Sequence, residues 1–215
     1  MRPFAVVLLL TAGLAASAAA QSSSPVPPVP AFRLTAPITV DGRLDEDAWQ
    51  RRPAVLRLTQ RDPVEGAVPR ESTWVWVAFD DRALYVAARL WDAHPDSIVS
   101  QLVRRDVSTA TDRFFVYLDT YGDRRSGYYF GITAAGVLLD GTLFNDNQSD
   151  AAWDGVWEGQ ARRDGQGWTC ELRIPVAQLR SRPGVEQPWG VNFKRCIARG
   201  NEVDYLVVLS KTLSG

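Results

Sequence analysis

The chain has 215 residues with 24 Lys and Arg against 25 Asp and Glu, a formal net charge of −1 that argues against a nucleic-acid surface or a polybasic membrane patch. Its single histidine, His94, excludes a multi-histidine zinc site, and its single methionine, Met1, within the apolar leader, argues against a His/Met-ligated haem. Hydrophobic residues at 46% are ample for the core of one large domain, and eight tryptophans are a surplus that invites a search for aromatic binding surfaces.

Arg2, the apolar run from Phe4 to Leu14 and the small residues ending Ala18-Ala19-Ala20 read as a secretory signal over residues 1–20. That run is too short to span a bilayer, and no later segment approaches the ~18 uninterrupted apolar residues that a spanning helix needs. The expectation is an exported chain, placed in the periplasm, at the outer membrane or outside the cell. Export puts Cys170 and Cys196 where a disulfide persists, yet their spacing leaves a bond and two separate buried thiols equally open. Residues 21–31, QSSSPVPPVPA, form a Ser/Pro linker that packs no core, so the folded domain is placed at residues 32–215.

From Phe32 onward the pattern is short alternating segments divided by turn residues, which predicts an all-β sandwich or barrel. A short helix is expected at Asp45–Trp49, with Asp45 as its cap and Trp49 buried to pin it to the sheet. Thr73, Val75, Val77 and Phe79 share one strand face, as do Leu84, Val86, Ala88 and Leu90 after the turn at Asp80-Asp81-Arg82, which predicts a hairpin. Further strands are expected at 114–119, 128–133, 136–144, 155–162, 168–174, 190–198 and 205–209, with a turn at 164–167 and a single helical turn at 175–179.

The run Ile38-Thr39-Val40-Asp41-Gly42-Arg43-Leu44-Asp45-Glu46, followed by Ala48-Trp49, resembles the opening of family 9 carbohydrate-binding modules. The likeness continues through Asp80-Asp81 with Leu84-Tyr85-Val86, through Asp112 and Phe114 to Asp119, and through Trp168, Glu171 and Ile174-Pro175. The stretches DRFFVYLDTYGDRRSGYYFGITAAGV and WDGVWEG are similar to an exported bacterial subgroup in which such a module precedes an outer-membrane barrel-like region. The resemblance implies a two-layer antiparallel β-sandwich, immunoglobulin-like or jelly-roll-like, that binds an oligosaccharide or polysaccharide. It also implies a family whose members accompany glycoside hydrolases, clamp sugar between two aromatics and often carry structural calcium.

Alternation turns Trp74 and Trp76 away from the core face of their strand, ~7 Å apart, the scale of an aromatic platform for a pyranose ring unless a second layer covers them. Trp91, at a strand end beside Asp92, is a third candidate. Trp153 sits in the polar loop 145–158 among hydroxyl-pairing groups such as Asp146, and is expected to face ligand, whereas Trp157 is expected in the core. Arg104 and Arg105 offer guanidinium forks for vicinal hydroxyls, although forks pair with carboxylates more commonly.

Asp146, Asn147, Asp150 and Asp154 offer hard oxygen ligands for calcium, at a spacing that does not fit the twelve-residue calcium loop. Glycoside hydrolysis needs two carboxylates across a cleft, and Asp146, Asp150, Asp154 and Glu158 supply the number without distinguishing acid from nucleophile. The preferred reading is an exported, non-catalytic carbohydrate-binding module that requires no cofactor and takes no nucleic acid. A docking domain for a following membrane barrel and a glycoside hydrolase are the alternatives.

Overall fold

The structure, a computed structural model, describes residues 28–107, 109–145, 148–181 and 188–212. The expected signal at 1–20, most of the linker, and Asp146 and Asn147 lie outside the described residues. Val29 lies within the expected linker, yet it packs against the core. No helix among the described residues is long and apolar enough to cross a membrane.

The strands are, in chain order, β1 (Phe32–Arg33), β2 (Thr59–Asp62), β3 (Thr73–Phe79), β4 (Ala83–Trp91), β5 (Arg113–Asp119) and β6 (Gly127–Thr133). They continue with β7 (Leu138–Phe144), β8 (Gln148–Asp150), β9 (Glu158–Asp164), β10 (Gly167–Pro175), β11 (Gly190–Ile197) and β12 (Glu202–Tyr205). A five-stranded sheet runs β1-β3-β4-β10-β9 and a seven-stranded sheet runs β2-β12-β11-β5-β6-β7-β8. Every pairing is antiparallel except β1 with β3. The fold is the two-layer β-sandwich expected.

Alternate residues of each strand point inward, so the two inner faces interdigitate into one core. Val75 and Val77 of β3, Val86, Ala88 and Leu90 of β4, and Trp168, Leu172 and Ile174 of β10 meet Phe114, Phe130, Ile132 and Phe193 of the other sheet. Burying one such side chain fully contributes roughly 1.5–3 kcal/mol.

Strand β4 is buried along nearly its whole length because it is covered on both faces. Its outer residues Ala83, Tyr85 and Ala87 pack under Trp49, with Phe32, Leu34, Ile38, Leu44 and Ala48 around them. Small alanines there leave room for the covering segment. Glu171 of β10, 1% exposed, clasps that segment: its carboxylate accepts the Trp49 indole N–H at 2.7 Å and the backbone N–H groups of Asp41 and Gly42 at 3.0 and 2.8 Å. Gly42 holds φ +81°, and a Cβ there would come within 3.1 Å of the Ala161 backbone, so this turn needs glycine.

Several local expectations are corrected. Residues 46–50 form hydrogen-bonded turns, Trp49 N–H to the Glu46 carbonyl and Gln50 N–H to that of Asp47, and not an α-helix. The Glu171 clasp holds Trp49 without one. The strand expected at 205–209 lies earlier, at Glu202–Tyr205, where β11 and β2 offer partners on either side. Of the two alternatives left open for the thiols, the structure has the separate ones: Cys170 and Cys196 are both free and buried. Cys170 points into the inter-sheet core, whereas Cys196 joins Phe115 and Leu139 in a separate cluster, so the thiols occupy different layers.

Candidate functional site

The cover on the five-stranded sheet stops short of one end, and there the outer face stays open. Register places Trp74 opposite Arg89, Arg89 opposite Thr169 and Thr169 opposite Arg162, a single cross-strand row on that face. Trp91, two residues beyond Arg89, joins the same face. The covering segment forms the wall, from Gly42 to Asp45 and from Gln50 to Pro53, and the result is an open groove of about 780 Å³.

Three of the expected aromatic residues converge here. Trp74 is the most open indole, 36% exposed, and its ring meets Trp91 at 5.4 Å and 76° and Trp76 at 6.4 Å and 74°. These angles make a corner and not a parallel clamp, so a sugar face stacks on one ring while the neighbouring ring limits its position. Trp76 is 6% exposed, because residues 49–53 cover it and its indole N–H donates to the Arg51 carbonyl at 2.7 Å. It forms the inner end of the groove, and the open surface belongs to Trp74 and Trp91.

Arg89 fixes the corner. Its guanidinium sits 4.4 Å from the Trp91 ring centroid and is gripped by Asp164 through two hydrogen bonds of 2.5 and 2.8 Å. That fork holds the Asp164 carboxyl below the usual carboxylate range. Behind the sheet, Arg195 of β11 donates to the carbonyl oxygens of Trp91 at 2.6 Å and Ser72 at 2.9 Å, tying both strand ends to the opposite layer.

Three further expected residues, Trp153, Arg104 and Arg105, lie elsewhere, and Asp146 is outside the described residues. Trp153 packs its ring 5.1 Å from Tyr128 and 5.9 Å from Phe130, outside the groove. Arg104 is exposed and does not line the groove. Arg105 donates to Asp140 at 2.5 Å and to the Gly155 carbonyl at 2.8 Å, and pairs with Asp154 at 3.0 Å. It is a structural tie for the 153–155 loop and does not offer a free fork.

The acidic oxygens that converge among the described residues are those of Asp106, Asp140 and Asp154. Of the two expected calcium ligands among the described residues, Asp150 and Asp154, only Asp154 belongs to this group. The Arg105 guanidinium already supplies the positive charge there, so the cluster as it stands fits an ion-pair network better than a metal site. Asp150 accepts the Ala152 N–H, and Glu158, 61% exposed at its side chain, pairs with Arg173.

No family model matches the sequence, and no curated protein matches it. Among solved structures, a carbohydrate-binding module family 9 from Caldicellulosiruptor kristjanssonii in complex with cellotriose superposes with a TM-score of 0.53 at 19% identity, covering 81% of this chain and 80% of that one. The fold is that of a family 9 carbohydrate-binding module. The same organism's family 9 module in complex with glucose gives 0.53 at 17% identity, covering 81% of this chain and 84% of that one. A putative carbohydrate-binding protein from Bacteroides uniformis gives 0.53 at 14%, covering 70% and 77%.

Within this family 9-like fold, sequence reasoning reached Trp74, Trp76 and Trp91 but passed over Arg89, Arg162, Asp164 and Thr169. A signal for Arg89 was present: if Val86, Ala88 and Leu90 face inward, Arg89 and Trp91 must share the outer face. Nothing in the chain announces that β10 lies beside β4 and β9 beside β10, and that strand order brings in the other three.

Proposed function

We propose that this chain is a non-catalytic carbohydrate-binding module that holds an oligosaccharide in the groove over Trp74 and Trp91. One observation carries the reading: on a family 9-like sandwich, the uncovered end of one sheet presents an exposed indole in a corner of aromatic and hydrogen-bonding groups. The apolar side of a pyranose stacks on an indole, while guanidinium, carboxylate and hydroxyl groups pair with its hydroxyls. Glycan binding by the solved relatives agrees with it. Of the carboxylates considered for hydrolysis, the three among the described residues, Asp150, Asp154 and Glu158, are paired with arginine or bonded to backbone, which favours binding over bond cleavage. The apolar leader at residues 1–20 supports export of the module.

The test is a titration of the chain from residue 28 onward against soluble oligosaccharides, read by tryptophan fluorescence and calorimetry. Shallow, wet sugar sites give micromolar to millimolar affinity, about −4 to −8 kcal/mol. Trp74→Ala is expected to remove most measurable binding with the fold retained. Undiminished binding in that variant rejects the site, and no binding to any glycan favours a docking role. Release of reducing sugar would replace the reading with hydrolysis.

A further inference from the structure

We propose that the ligand of this groove is an anionic oligosaccharide, one whose rings carry a carboxylate or an equivalent negative substituent. The inference rests on the carbohydrate reading above and names the class of sugar.

Four arginines line the groove, Arg43, Arg51, Arg89 and Arg162, against two aspartates, Asp45 and Asp164. This excess of positive charge stands out in a chain whose formal net charge is −1. The four are not equally engaged. Arg89 is satisfied by Asp164 and serves to brace Trp91. Arg51 rests over the Phe32 ring at 4.6 Å, a contact that leaves its N–H donors unneutralised. Arg43 reaches Asp41 only at 3.9 Å, with both side chains about half exposed. Arg162 has no ion pair or hydrogen bond from its side chain among the described residues, although it stands in the same cross-strand row as Trp74.

A neutral sugar would leave these forks facing water. Guanidinium binds carboxylate and sulfate through paired, charge-assisted hydrogen bonds, which suits a stacked ring whose substituent projects from its edge. In this arrangement Trp74 reads the ring, and Arg162, with Arg43 and Arg51 on the facing wall, reads the charge.

The experiment is calorimetry on the same chain with three matched ligands: a neutral galacto-oligosaccharide, the corresponding oligogalacturonate and a sulfated galacto-oligosaccharide, each at low and at moderate salt. The oligogalacturonate is expected to bind about tenfold tighter than the neutral ligand, the scale of one charge-assisted pair, and to lose that advantage as salt rises. Arg162→Gln is expected to narrow the ratio between charged and neutral ligands. Preference for the sulfated ligand supports the anionic class and assigns sulfate as the substituent. Equal binding of all three overturns this inference and leaves the carbohydrate reading intact, whereas no binding of any of them overturns both.

Discussion

Arg195, fully buried on β11, donates from Nη2 to the backbone carbonyl of Trp91 on β4 at 2.6 Å, so one side chain joins the core of one sheet to the edge of the groove on the other. Its Nη1 adds bonds to the Ser72 carbonyl at 2.9 Å and the Thr73 hydroxyl at 3.1 Å, where β3 begins. Replacing it with methionine keeps much of the volume but strands these acceptors and the facing Asp204. The expected cost is about 3–5 kcal/mol by denaturant unfolding, the range for breaking a buried charge network.

Trp49→Ala empties a buried aromatic site and deprives Glu171 of a donor, and about 3–5 kcal/mol of stability should be lost. Trp49→Phe retains a ring but not the N–H, so its loss should be about 1–3 kcal/mol, the cost of an unmet buried acceptor. Equal losses in the two variants would show that the Glu171 hydrogen bond, and not ring packing, holds the covering segment, whereas no loss in Trp49→Phe would assign that role to packing.

Stability should fall as pH rises from about 5 to 8. Burial pushes the carboxyls of Glu171 and Asp204 up to about 7 from ordinary values of 4.5 and 3.8. A carboxyl raised on folding binds its proton more tightly in the folded state. Its contribution is therefore complete below its ordinary value and is lost as pH climbs through about 7. Neither Asp204 oxygen receives a hydrogen bond, so Asp204→Asn should flatten the melting temperature across this range. Asp62 and Asp164, held low by Lys211 and Arg89, act in the opposite sense, and their contribution disappears on further acidification.

Trp153→Ala separates packing from binding. Its ring rests on Tyr128 and Phe130, so its removal should cost roughly 1–3 kcal/mol of stability. Glycan affinity should stay unchanged, since Trp153 does not line the groove. A parallel loss of affinity would place Trp153 in the site after all.

Reducing agent should leave the melting temperature unchanged, because Cys170 and Cys196 are free. Burial pushes both thiols up, so a thiol reagent should titrate two groups only after unfolding. Fewer than two under denaturing, non-reducing conditions would reveal a disulfide.

Period-two alternation by itself determined the strands β3, β4, β5, β6 and β10, because each buries one row of branched or aromatic side chains and a one-residue slip would turn that row outward. It also turned Trp74 and Trp76 to the face opposite Val75 and Val77. Alternation was silent about β2 and β8, whose sequences TQRD and QSD carry no apolar row and are strands only because β12 and β7 offer hydrogen-bonding edges. Tertiary structure decided which of two equivalent outward indoles is open: the covering segment reaches Trp76 and stops before Trp74. It likewise decided that Arg89, Asp164 and Arg162 stand beside them, since a strand's neighbours follow from chain topology and not from its own residues. Arg105 and Trp153 are the converse case. Residue type fitted them for sugar, but a fully buried Asp140 and the rings of Tyr128 and Phe130, distant in sequence, claimed them first.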